Sequence, residues 1–365
     1  MSKSGGNAPT KYNDLVPMFN RAVGVVENTR QFVGNTANLA MCVSNFELGR
    51  IIFEQEQNGK DRAGYGDYII SGLSQMLNEH FGRGFSQTNL KNARFFFLSY
   101  QNRIGQSAIS QLQEPRIGQS AIAELSQFKV GWTHYLVLMR IKDEKERAFY
   151  EIETAKQNWS VKQLQRNYAS SLYERVALSR DKNEVMRLAN EGQTVEKPQD
   201  ILKTPLVLEF LGMPEHTAYS ESDLETAIID KLQDFLLELG KGFLFEARQK
   251  RFTYDEDDFF VDLVFYNRIL RCYVLIDIKT TKIKHQDLGQ MQMYVNYFDR
   301  HVKQGTENPT IGILLCKDKN NGVVEMTLPK DANIYANEYS LYLPDKKLLQ
   351  SKLAEWVNEF ENSGK

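Results

Sequence analysis

Cysteine is scarce in this chain of 365 residues: Cys42, Cys272 and Cys316 stand alone and far apart. They form no CxxC pair and no His/Cys spacing suited to zinc, which excludes a disulfide framework and a zinc site and fits a reducing, cytoplasmic setting. The five histidines, His80, His134, His216, His285 and His301, show no ligand or triad spacing. No run approaches the roughly 18 apolar residues of a membrane helix, and Met1–Thr10 is small and polar with no apolar core. Neither a membrane span nor a secretory signal is therefore expected. Net charge is also close to nil, with 45 Lys and Arg against 47 Asp and Glu, so charge alone selects no partner. Its distribution is uneven: residues 1–200 carry 25 basic and 21 acidic side chains, leaving 20 and 26 to the rest. A mildly basic contact module joined to an acidic one is the expected organisation.

What is present reads as a soluble globular chain of two or three domains, with 42% apolar and 25% charged residues. Residues 1–11 read as a disordered tip. Ile69, Ile70, Leu73, Met76 and Leu77 have the three-to-four spacing of an amphipathic helix. Gly82 and Gly84 permit a sharp reversal after it, and Ser86 is a good N-cap for a second helix from Gln87 to about Tyr100. That is the outline of a helix-turn-helix. A weaker second instance runs from Asp143 to Gln157, turns at Asn158-Trp159, and is capped by Ser160 toward Glu174. Between the two, Arg103-Ile-Gly-Gln-Ser-Ala-Ile109 recurs as Arg116-Ile-Gly-Gln-Ser-Ala-Ile122, which reads as an insertion in a loop, because two units cannot build a solenoid. Residues 176–206 read as a charged helical tail and linker.

After Thr204 the pattern changes. Asp223–Leu239 is an amphipathic helix stopped by Gly240, followed by strand-like runs at Gly242–Gln249, Phe259–Tyr266, Cys272–Lys279 and Thr310–Cys316. A helix over about 286–300 precedes the last run, and Lys346–Glu361 forms a short terminal helix. The order α-β-β-β-α-β implies an α/β sandwich around a mixed sheet. Two of the strands carry one acid each in an otherwise apolar run: Asp262, and Asp277 two residues before Lys279. A four-residue loop, Arg268–Arg271, would pair Asn267 with Cys272 and set Asp262 opposite Asp277; a five-residue loop would send them to opposite faces. Facing carboxylates in a buried strand pair are destabilising. Protonation of one, neutralisation by Lys279, or a divalent cation would each offset this. Oxygen-only ligands favour Mg²⁺ or Mn²⁺, and a cation beside a lysine suits phosphodiester hydrolysis.

Glu225, Asp262, Asp277 and Lys279 resemble the PD-(D/E)xK nuclease signature, and Gln290-Met-Gln-Met-Tyr294 matches the Gln-x-x-x-Tyr element of RecB-like nuclease domains. Longer strings, Ser-Glu-Ser-Asp-Leu-Glu225, Glu238-Leu-Gly-Lys-Gly-Phe243, Asp262-Leu-Val-Phe-Tyr266 and Asn308-Pro-Thr-Ile-Gly-Ile-Leu-Leu-Cys-Lys317, resemble the YhcG family of bacterial proteins. Gly-Arg-Gly-Phe-Ser-Gln-Thr-Asn-Leu90 is similar to the signature of its helical N-terminal domain. The resemblance implies an α+β chain: an all-helical, helix-turn-helix-like domain at 12–175, a charged linker at 176–206, a restriction-endonuclease-like α/β domain with a central mixed sheet at 207–345, and a C-terminal helix at 346–365. It implies that Asp262 and Asp277 bind metal, with the Ile278 carbonyl as a third ligand, that Glu225 binds the metal or its water, and that Lys279 positions the attacking water. Gln290 and Tyr294 would contact DNA phosphate. Two positions depart from the pattern: Val261 stands where the signature has Pro, and Asp277 replaces the usual Glu with a side chain one methylene shorter.

Bland readings stand beside these. Glu225 lies three residues after Ser222, a capping-box spacing. Asp262 fits a buried acid bonded to amides, Asp277 with Lys279 an exposed ion pair, and Gln290 with Tyr294 ordinary helix surface and core. Asp255–Asp258 reads as a solvated hairpin tip, and Trp132 and Trp159 as core anchors. Gln87, Asn89, Lys91 and Arg94 are of the types that reach bases and phosphates, or they form a solubilising face. The expected activity is a metal-dependent nuclease acting on DNA rather than RNA, with a homodimer as the form suited to duplex cutting. The alternative is a nuclease fold that binds nucleic acid or assembles complexes without turnover.

Overall fold

A computed structural model describes residues 16–57, 65–102, 128–180, 182–214, 218–319, 321–329 and 331–363. The expected disordered tip and the duplicated Arg103–Ile109 and Arg116–Ile122 segments lie outside the described residues. The chain divides into two compact units, Met1–Lys142 and Asp143–Lys365.

The first unit is helical: α1 (Val16–Gln57), α2 (Tyr65–Phe81), α3 (Gln87–Tyr100) and α4 (Trp132–Leu138). Its core is aromatic. Phe46 on α1 meets Phe96, Phe97 and Phe128 at ring-centroid distances of 5.1–6.0 Å, and Tyr100 and Tyr135 close the cluster. A Cβ on Gly49 would stand 2.1 Å from the Ala93 carbonyl oxygen, so the close crossing of α1 over α3 requires glycine there. Gly82 and Gly84 adopt φ of 85° and 144°, making the expected reversal between α2 and α3. Asn78 pins the turn: its Nδ2 donates to the Phe85 carbonyl at 3.1 Å and its Oδ1 accepts from Phe85 N at 3.2 Å. Ser86 caps α3 by accepting from Asn89 N at 3.2 Å.

The second unit begins earlier than the linker expectation placed it. Helices α5 (Glu144–Gln157), α6 (Val161–Ala169), α7 (Leu172–Leu178) and α8 (Lys182–Glu191) belong to the same compact body as the sheet. The expected continuous helix toward Glu174 breaks at Ser171, whose φ is 55°. Residues 176–206 are not a solvated linker: Arg180, Gln193, Asp200 and Lys203 are buried polar groups within them. The reason is a charge network that the α5–α8 region shares with the sheet domain. Arg175 is fully buried and donates to Glu238 at 2.5 Å. Arg166 reaches Glu238 at 3.1 Å and Glu209 at 2.8 Å, and Val207 N donates to Glu238 at 3.0 Å. Lys203 donates to the Glu238 carbonyl. Burial alone would raise the Glu238 pKa, but Arg175, Lys203 and Arg166 outweigh it and hold the carboxyl at about 2.

The sheet has six strands in the order β1-β6-β5-β4-β3-β2. They are β1 (Leu206–Val207), β2 (Phe243–Tyr254), β3 (Asp257–Asn267), β4 (Cys272–Lys282), β5 (Ile311–Asp318) and β6 (Ile334–Ser340). β2, β3 and β4 form an antiparallel meander; β4, β5, β6 and β1 run parallel. This is the expected mixed sheet, with β1 and β6 added. On one face Leu263, Phe265, Val274, Ile276 and Ile278 pack against α9 (Glu221–Asp230) and α10 (Leu232–Leu239). The helix expected over 223–239 is these two, separated at Lys231. On the other face Val261, Val264 and Leu275 pack against α11 (His285–Tyr297). Both faces are covered, which accounts for the doubly apolar strands. A short α12 (Asn321–Thr327) joins β5 to β6, and α13 (Lys346–Ser363) is the terminal helix. Asp255 and Glu256, with φ of 51° and 70°, form the tight hairpin tip between β2 and β3. All three cysteines are buried and none forms a disulfide.

Removing one member of a buried ion network strands the others, so Glu238→Ala is expected to cost about 3–5 kcal/mol of stability, measured by chemical denaturation. Because the folded pKa of about 2 lies below the 4.5 of an ordinary glutamate, the Glu238 contribution is present above about pH 4.5. It fades as pH falls toward 2, and the variant's stability should be flatter across that window.

Candidate active site

The loop between β3 and β4 has the four residues the acidic pairing requires, since Asn267 pairs with Cys272 and Leu263 with Ile276. One step further along this register, Asp262 faces Asp277. The ladder skips Asp262 there. On the β2 side, Arg248 pairs with Leu263 and Lys250 with Val261, passing over Gln249 and Asp262. The Asp262 carboxylate takes up freed donors instead: Oδ2 accepts from Ile278 N at 2.9 Å and Oδ1 from Gln249 Nε2 at 3.0 Å.

Asp277 is 3% exposed. Burial and then the neighbouring Asp262 carboxylate push its pKa up to about 7, against the pull of Lys279. Lys279 Nζ lies 2.8 Å from Asp277 Oδ2 and 3.4 Å from Glu221 Oε2. The Asp277 pair is an ion pair without hydrogen-bond angles, and Oδ2 has no hydrogen-bond partner among the described residues. Burial would lower the Lys279 pKa; the Asp277 charge outweighs it and raises it, so this side chain stays an ammonium. The pair is thus buried rather than lying on an exposed strand face.

Glu225 does not cap its helix. Ser220 is the N-cap of α9 and forms the capping box with Asp223. Glu225 sits one turn inside, 4% exposed, and its carboxylate accepts from Arg248 Nε at 2.5 Å and from Gln249 Nε2 at 2.7 Å. Gln290 lies exposed on α11, and its amide donates to the Tyr294 hydroxyl. The Tyr294 ring is a core residue packed edge-on to Phe252 at 5.6 Å. Of this pair only Gln290 faces solvent.

Asp262, Asp277 and Lys279 are therefore gathered at one point, with Glu225 joined to them through the Gln249 amide. Among the described residues no group of three acids is placed to share a cation. The facing aspartates and their oxygen-only donors still suit a hard divalent ion, which would relieve the repulsion raising the Asp277 pKa. Sequence reasoning missed Gln249, Arg248 and Glu221. Glu246-Ala-Arg-Gln-Lys-Arg251 reads as an ordinary edge strand and carries no sign of a kink.

In the first unit the four candidate nucleic-acid contacts are engaged within the fold. Gln87 donates to Ser71 Oγ at 3.3 Å and Asn89 to the Gly84 carbonyl at 2.8 Å. Arg94 is tied to Glu56 at 2.5 Å. Lys91 pairs with Asp67 at 3.1 Å, both well exposed, and such a pair contributes little.

Burial and the neighbouring Asp262 raise the Asp277 pKa to about 7, so folding favours the protonated carboxyl at pH values where the unfolded chain releases that proton. With EDTA present, stability should therefore decline as pH rises from about 4 through 7. Asp277→Asn, which has no proton to lose, should flatten that decline between about pH 4 and 8, as measured by urea unfolding.

Residues 199–354 match the YhcG PDDEXK nuclease domain and residues 21–175 the DUF1016 N-terminal domain. The Escherichia coli K12 protein named "Putative nuclease YhcG" is 39% identical over 344 residues, which is 91% of each chain. A solved repair endonuclease from Pyrococcus abyssi superposes on 36% of this chain and 50% of its own, with 17% identity and a TM-score of 0.25. An EndoMS–double-stranded DNA complex gives 16% identity over 36% of this chain and 49% of its own, also at 0.25. This chain spans about half the length of those two proteins. Among the described residues no helix is long and apolar enough to cross a membrane. The chain carries a PDDEXK nuclease-type domain behind a helical N-terminal domain and belongs to the YhcG family.

Proposed function

We propose that this chain is a divalent-cation-dependent nuclease of the reducing cytoplasm, hydrolysing phosphodiester bonds in DNA in preference to RNA. The observation that carries the reading is the contact of Asp262 with buried Asp277, whose pKa is pushed up to about 7, beside the Lys279 ammonium. The Asp277 Oδ2, ion-paired with Lys279 but without a hydrogen bond, and the repulsion between the two acids leave room for a cation at this point. Asp262, Asp277 and the Ile278 carbonyl would hold Mg²⁺ or Mn²⁺, with Glu225 joining directly or through water. When bound, such an ion supplies Lewis acidity toward a phosphoryl oxygen and lowers the pKa of water. Lys279, kept protonated by Asp277, orients the attacking water and stabilises charge developing on the phosphoryl oxygens. Gln290 contacts the phosphate next to the scissile bond, and Tyr294 holds the Gln290 amide. On α3, Lys91 is the side chain most readily exchanged from its exposed ion pair to a phosphate, with Gln87, Asn89 and Arg94 flanking it.

A second reading, a nuclease fold that binds nucleic acid without turnover, is favoured by two observations. Asp277 is a methylene shorter than the glutamate usual in the signature, and no three-acid group forms among the described residues.

The test is cleavage of plasmid DNA, oligonucleotides and matched RNA with Mg²⁺ or Mn²⁺. DNA cutting is expected, abolished by EDTA and reduced at least about 100-fold in Lys279→Ala and Asp262→Ala. Salt-dependent binding without cutting under either metal would establish the second reading instead. Lys91→Ala should weaken DNA binding and lower the salt slope by about 1.

A further inference from the structure

In a regular strand successive side chains leave on opposite faces of the sheet. Arg248 and Gln249 are successive residues of β2, yet both reach the same carboxylate, Glu225, at 2.5 and 2.7 Å. The break that permits this is Gln249 itself, whose φ is 46° in the left-handed region. Such a conformation is uncommon for a side-chain-bearing residue other than Asn or Asp and carries a strain cost. The strain sits beside the acidic pair. The Gln249 Nε2 group donates at the same time to Glu225 Oε2 at 2.7 Å and to Asp262 Oδ1 at 3.0 Å. Ionised carboxylates only accept hydrogen bonds, so the amide must present its nitrogen to them, and its two protons match the two acceptors one for one.

We propose that Gln249 is a positioning residue that bridges Glu225 on α9 to Asp262 on β3 and fixes the spacing of two acids on different elements. This assignment rests on the nuclease reading above and deepens it. Without the bridge, Glu225 keeps Arg248 as its partner and turns toward it. Asp262 then keeps a single donor, the Ile278 amide, and its carboxylate is free to rotate about it. Partners of this kind behind a metal ligand commonly set affinity within a factor of about 10–100. The kinked backbone lets one edge strand supply both the guanidinium and the amide to the same carboxylate.

The decisive variant is Gln249→Gly, since glycine adopts φ near 46° without strain while lacking the amide. It should fold at least as stably as the wild type, which separates positioning from a scaffolding role. Titration with Mn²⁺, followed by calorimetry and by cation-induced thermal stabilisation, should show affinity about 10- to 100-fold weaker. Single-turnover cleavage should recover when Mn²⁺ is raised by a similar factor, a rescue that a damaged fold would not give. Gln249→Asn, which tolerates the backbone but falls one methylene short, should behave like the glycine variant. Mn²⁺ affinity equal to or tighter than wild type in Gln249→Gly overturns the assignment while leaving the nuclease reading intact. Failure of the wild-type protein to bind Mn²⁺ or to cut overturns the nuclease reading, and this assignment with it.

Discussion

Two carboxylates held face to face between β3 and β4 are the constraint around which the sheet domain is arranged. Their closeness is enforced by the four-residue loop and by apolar packing on both faces, and it carries an electrostatic cost. The strand ladder is interrupted at Asp262, so the side chain, rather than the backbone, satisfies the Ile278 amide. Lys279 neutralises part of the charge, yet Asp277 is still driven well above the ordinary carboxylate range. A fold selected for stability alone would place an apolar residue at one of these positions. Both acids with a buried ammonium alongside are the arrangement on which the proposed cation and phosphate chemistry rests.

A different solution to burying charge operates at the other end of the same unit. Glu238 is surrounded by Arg175, Arg166 and Lys203, and its carboxyl is held far below its ordinary pKa. There the Glu238 carboxylate is hydrogen-bonded by Arg175, Arg166 and the Val207 amide. The network ties α6, α7 and β1 to α10, so the helices between 144 and 191 form part of the body that carries the site. The contrast separates the two clusters by chemistry: around Glu238 the cations lower the carboxyl pKa, whereas at Asp277 burial and a second acid raise it.

Much of this was legible in the sequence because the relevant signals are local. Ser86, Gly82 and Gly84 specify the reversal between α2 and α3 through capping and backbone freedom, whereas the register that opposes Asp262 and Asp277 stayed open between a four- and a five-residue loop until the strand pairing decided it. The misses come from long-range pairing. Residues 176–206 are polar in sequence because Arg180, Asp200 and Lys203 are buried with partners, which composition reads as solvation. β1 has two residues, too few for periodicity to register. Ser222 offered Glu225 a capping role, but Ser220 took the cap with Asp223 and left Glu225 for the site. Tyr294 shares a helix face with Gln290, yet the packing of Phe252 decides that only one of them meets solvent. Gln249 could not be found from sequence at all, because its role depends on a backbone kink that no neighbouring glycine announces.

The most direct measurement of the central claim is an anomalous difference map from crystals soaked in Mn²⁺. The account predicts a peak about 2.1 Å from oxygens of Asp262, Asp277 and the Ile278 carbonyl, with Lys279 displaced from Asp277. A map with no peak there, and the two aspartates still joined to each other and to Lys279, would contradict it.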